Sequence, residues 1–186
     1  MRLSRTLTAG AAVVALASLT GCGGGGEAEA GSGGKSLPKA KDVAAMERFV
    51  SQYTTCRDVR TTPPVKEHAD SALEFDYVPK GSGAGVKEQA YCKSENGPIA
   101  LVVVSDMKKF QQAMKANEAA GTEKGASALV GEDFAVVPTS GATTQALKTS
   151  GLLIATCHAS FISEIPSGYT KRDGGVEGCV MTDYMR

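Results

Sequence analysis

Five cysteines and two histidines hold most of this chain's capacity for covalent or metal chemistry. Cys22 stands apart, at the end of an apolar run and followed by four glycines. That leaves Cys56, Cys92, Cys157 and Cys179. An even number in an exported chain reads as two disulfides. Four cysteines allow three pairings. Joining sequence neighbours favours Cys56–Cys92 and Cys157–Cys179, closing loops of 35 and 21 intervening residues, with the other pairings open. A metal reading is weaker. Cys157 and His158 are adjacent, but no C-x₂₋₄-C or H-x₃₋₅-H pair occurs, so no metal site is expected.

Three hydroxyl and lysine fragments have the look of a serine-nucleophile site. Ser105-Asp106-Met107-Lys108 fits S-x-x-K. Ser94-Glu95-Asn96 resembles the second motif of penicillin-binding proteins, and Lys148-Thr149-Ser150-Gly151 resembles their K-T-G. The resemblance fails on order, on an extra residue in the third motif, and on chain length. The structural alternative covers all three fragments: a helix N-cap, a turn and a helix C-terminus. There is no G-x-S-x-G; "GASAL" at Gly125 lacks the last glycine. His68 lies in the charged stretch "KEHAD" and reads as exposed, and His158 beside a disulfide cysteine reads as structural. Gly34-Lys35-Ser36 ends like a phosphate loop, but Glu29 stands where that motif needs its first glycine. No catalytic residue and no cofactor is expected.

The N-terminus carries a different chemistry. Arg2 and Arg5 precede an almost wholly apolar run from Leu7 to Leu19. About 13 residues are too few for a membrane span of roughly 20. They suit a signal-peptide core of about 7–15. Leu19-Thr20-Gly21-Cys22 then resembles the lipobox of bacterial lipoproteins. The resemblance implies cleavage between Gly21 and Cys22, a diacylglyceryl thioether on Cys22, and often acylation of the new amino group with a fatty acid such as palmitate. Acyl burial contributes about 0.8 kcal/mol per CH₂, so two or three chains hold a domain stably. The implied location is the extracytoplasmic face of the cell membrane.

On this reading residues 1–21 are expected to be a cleaved signal peptide, 22–35 a lipidated cysteine and Gly-rich tether, and 36–186 one globular domain. The tether has no large apolar residue and is expected to stay a coil. Without Arg2 and Arg5 the chain carries 18 basic and 20 acidic side chains, a formal charge of −2. That balance gives no reason to expect nucleic acid.

Within the domain, Val43, Met46, Phe49, Val50 and Tyr53 recur at helical spacing, predicting a helix over 39–53 with Pro38 at its start. Leu73, Phe75 and Tyr77 alternate as in a strand over 73–78. Further strands are predicted at 86–92, at 98–104 with its run "IALVVV", at 134–137, at 152–157 and at 179–184. Ser105 is expected to cap a helix bearing Met107, Phe110 and Met114, and Ser140 a short helix 142–149 ended by Gly151. Residues 119–127 and 158–178 read as irregular, and no sequence repeat is visible. The expected fold is α+β: a mostly antiparallel sheet with two to three helices on one face and two disulfides. The expected role is non-catalytic binding of an unidentified protein or envelope ligand. An extracytoplasmic hydrolase would need a nucleophile, base and oxyanion donors in one cleft. A small-ligand carrier would need a large apolar pocket.

Overall fold

The computed structural model describes residues 36–64, 75–121 and 128–185, all belonging to one folded unit. Gly21, Cys22, the tether, Gly34, Lys35, His68, Leu73 and Gly125 lie outside the described residues.

The centre of the fold follows from the run at Ile99–Val104. It forms most of β3 (Gly97–Val104), and all six side chains are buried. Alternate residues of a strand point to opposite faces, so such a run must be covered on both sides. Ile99, Leu101 and Val103 pack in one core with Met46 and Val50 of α1 (Val43–Val50). Ala100, Val102 and Val104 pack in another, with Phe110 and Met114 of α2 (Met107–Ala119). Leu147, just past α3 (Gly141–Ala146), joins the first core. The helices are therefore divided between two faces, not gathered on one. The α+β class, the antiparallel sheet and both disulfides are as expected.

The sheet has eight strands, every neighbouring pair antiparallel. The remaining strands are β1 (Arg57–Arg60), β2 (Val86–Ser94), β4 (Ala128–Val130), β5 (Phe134–Pro138), β6 (Leu153–Thr156), β7 (Lys171–Asp173) and β8 (Val180–Thr182). Their order is β1-β2-β3-β5-β4-β6-β8-β7. The short α4 (Ala159–Glu164) bridges β6 and β7. A topological repeat is embedded here. β3-α2-β4-β5 and β6-α4-β7-β8 are both strand, helix, hairpin, and in both the last strand inserts between the first two.

Several expectations are corrected. Residues 75–78 form a turn, not a strand, closed by Val78 N–H to the Phe75 carbonyl at 3.1 Å. Burial alternates through Phe75, Asp76 and Tyr77 as a strand would have it, but Val78 is buried too, and its N–H is spent on the Phe75 carbonyl. Their place beside β2 is taken by β1, held where Cys56 bonds Cys92 and Arg57 pairs with Lys93. Helix α1 starts later than Lys39 because residues 38–40 are engaged elsewhere. The Pro38 carbonyl accepts Glu132 N–H at 2.8 Å, and Ala40 N–H donates to Asp133 Oδ1 at 2.7 Å. Asp42 then caps the helix, accepting Ala45 N–H at 2.7 Å. The cap of α2 is Asp106, which accepts Lys109 N–H, while Ser105 Oγ donates to the Gly85 carbonyl at 3.1 Å. Ser140 caps α3 as expected. Residues 158–178 are not wholly irregular, since they include α4 and β7.

Candidate functional site

The four cysteines of the domain are spent in covalent links. Cys56 bonds Cys92 and Cys157 bonds Cys179. A disulfide sulfur is neither a thiolate nucleophile nor a thiolate ligand. Cys157 and Cys179 therefore supply no thiolate to a metal beside His158. Cys157 Sγ lies 4.0 Å from the Gln111 carbonyl. Being oxidised, that sulfur has no proton to donate, so this is packing and not a hydrogen bond.

His158 is where catalytic geometry would have to assemble among the described residues. Its Nδ1 lies 3.0 Å from Ser160 Oγ and 3.9 Å from Glu118 Oε1 near the end of α2. A serine, a histidine and an acid are thus adjacent, the constellation that would argue for hydrolysis. Two features separate it from a working triad. Such a triad uses both ring nitrogens, one toward the hydroxyl and one toward the acid. Here both partners meet Nδ1. The histidine side chain is also 62 % exposed, so no walls exclude water from the group. Ser160 lies in the first turn of α4 and is exposed too.

The other suspected fragments are structural. Ser94 Oγ donates to the Gly97 carbonyl at 2.6 Å and meets Thr143 Oγ1 at 3.2 Å. Ser140 Oγ joins Thr143 at 2.9 Å, so these hydroxyls tie the β2–β3 turn to the start of α3. Lys148-Thr149-Ser150 is a 3-10 turn ended by Gly151 in the left-handed region, φ 84°. The S-x-x-K string opens α2, with its serine bonded to Gly85. A crevice lined by Tyr77, Val78, Pro79, Phe110, Met114, Ala128 and Val137 has room for little more than a water molecule. That is not a carrier's cavity.

What the sequence reading missed is an aromatic cluster. Tyr184, just past β8, meets Tyr169 edge-on, with ring centroids 5.0 Å apart, and Phe161 of α4 at a tilt, 5.6 Å apart. Tyr169 is 43 % exposed and the other two are half-buried. Helix α4 buries none of its residues fully, although it carries Phe161 and Ile162. The three rings are 8 and 15 residues apart in sequence, and two of them fall in a stretch with no periodic pattern. The signal available was the concentration of rings itself, three of the ten phenylalanines and tyrosines within 24 residues.

Compared with protein-family models, with curated proteins and with solved structures, the chain finds no match in any of the three.

Proposed function

We propose that the chain is a lipid-anchored lipoprotein of the extracytoplasmic membrane face, whose folded domain is a non-catalytic binding module. One observation carries the anchor. The chain has five cysteines, four of them close into two disulfides within the domain, and five less four leaves Cys22. The leftover thiol sits at the end of the Leu19-Thr20-Gly21-Cys22 stretch, where a lipobox would place its acceptor. Disulfides persist in oxidising, extracytoplasmic compartments, which favours export. Among the described residues no helix is long and apolar enough to cross a membrane. The binding role is favoured by a half-exposed aromatic cluster.

The test is a Cys22→Ser variant expressed from its own signal sequence. The parent should partition with membranes and show the mass of a thioether-linked lipid. The variant should lose both. A variant that fractionates and labels like the parent would overturn the anchor.

A further inference from the structure

The aromatic cluster and the start of the domain lie at the same end of the sheet. The register shows this strand by strand. Val130 of β4 pairs with Ala135 of β5 and with Leu153 of β6, so the β4–β5 turn and the start of β6 share one end. Ile154 of β6 pairs with Thr182 of β8, and Thr182 with Lys171 of β7. The end of β8 and the start of β7 are therefore at that end as well. Tyr184 follows Thr182 and Tyr169 precedes Lys171. The first described residues are fastened there too. Pro38 bonds to the β4–β5 turn through Glu132 and Ala40 through Asp133, with Lys39 Nζ 2.8 Å from Glu132. Strands β4 and β8 are separated only by β6, and strands lie about 4.8 Å apart, so the strap and the rings are roughly 10 Å apart.

Length decides what this arrangement means. A Gly/Ser-rich chain of about 14 residues has a typical span of roughly 20 Å. A compact domain of about 150 residues has a radius of gyration near 15 Å and is roughly 40 Å across. With so short a typical span, the attached end lies on average nearer the surface than the far end. The rings at that end are then presented to the bilayer. Tyrosine suits the headgroup region, its ring apolar and its hydroxyl wet.

We infer that Tyr169, Tyr184 and Phe161 form a membrane-docking patch that seats the domain, tether end down, on the headgroup layer of the bilayer holding its anchor. The inference rests on the lipid-anchored reading above. It orients the domain, leaving the opposite end, with the β2–β3 turn at Glu95 and Asn96, toward the surroundings.

The chain has no tryptophan, so single-tryptophan variants report on one site each. Full lipidated protein carrying Tyr169→Trp or Asn96→Trp is reconstituted into phosphatidylethanolamine–phosphatidylglycerol vesicles, with and without brominated acyl chains. Both positions are exposed, and heat melts check that each variant folds like the parent. Amide exchange of the unsubstituted lipidated protein, on vesicles and in detergent, reads residues 161–170 and 183–185 independently. The expected result is flotation of both variants, with bromolipid quenching at least about twofold stronger for Tyr169→Trp than for Asn96→Trp, and slowed exchange at the patch on vesicles. Flotation with equal quenching and unchanged exchange overturns the docking patch and leaves the anchor standing. If protein expressed from its own signal sequence carries no lipid on Cys22 and does not float, the anchor and the docking that depends on it are overturned.

Discussion

At the scale of single residues, the decisive facts concern which atom meets which. Asp106 illustrates this. Its carboxylate is held below the ordinary value of 3.8, first by the Lys109 backbone N–H it accepts and then by the nearby Lys109 charge. A carboxylate with a lowered folded-state pKa adds stability above its unfolded value, and that stability is lost as pH falls through the folded one. Below about pH 4 the cap contribution should therefore fade. An Asp106→Asn variant keeps a capping oxygen but cannot titrate there. Its melting temperature should fall less between pH 5 and pH 2 than the parent's, each expressed relative to pH 7. Equal acid slopes would remove Asp106 from the account. Tyr91 moves in the other direction. Burial, and then the charge of Asp76, push its phenol above the usual 10.0. The same scale explains why the serine fragments mislead. A string such as S-x-x-K specifies residue types, whereas the hydrogen bond from Ser105 to Gly85 spans 20 positions.

At the scale of elements, the disulfides fasten what the hydrophobic pattern does not. Strand β1 is Arg-Asp-Val-Arg, with no buried residue, and Asp58 has a φ of 54°. It has little of its own to hold it at the sheet edge, and Cys56–Cys92 pins it at one end. A disulfide closing a loop of this length contributes about 3–4 kcal/mol by the chain-entropy account. A Cys56→Ser/Cys92→Ser double variant should lose stability of that order. Its amide exchange should accelerate first in β1, while β3 and β5 stay protected. Uniform acceleration across the sheet would show that β1 is not separately fastened. The legibility of the fold follows the same division. Elements marked by a helical period or an apolar run, α1, α2, β3, β5 and β6, are readable within a few positions. Strands β1 and β7, Arg-Asp-Val-Arg and Lys-Arg-Asp, carry mostly charged residues and no apolar run, and β4 has only three residues. The predicted strand at 73–78 shows the converse: Phe75, Asp76 and Tyr77 alternate in type and in burial, yet the backbone turns, with Val78 N–H bonded back to Phe75. The aromatic cluster was illegible because three separate elements assemble it.

At the scale of the whole molecule, the run at Ile99–Val104 decides the layering. A strand buried on both faces commits the fold to two cores, which is incompatible with helices on one face only. Phe110 on one side and Leu147 on the other are both completely buried. Phe110→Ala should cost about 3–5 kcal/mol and Leu147→Ala about 2–5 kcal/mol in denaturant unfolding. A loss confined to one of them would mean that only one face is a true core. The fastening of Pro38 and Ala40 has a mechanical consequence. On the proposed anchor, tension would enter the domain at the β4–β5 turn, in the middle of the sheet, and run along the strands. Pulling in that direction loads the hydrogen bonds of several strands together, as in shear. An attachment at β1 or β7 would instead peel the edge one bond at a time. Strands β1 and β7, at the two margins of the sheet, lie outside that path.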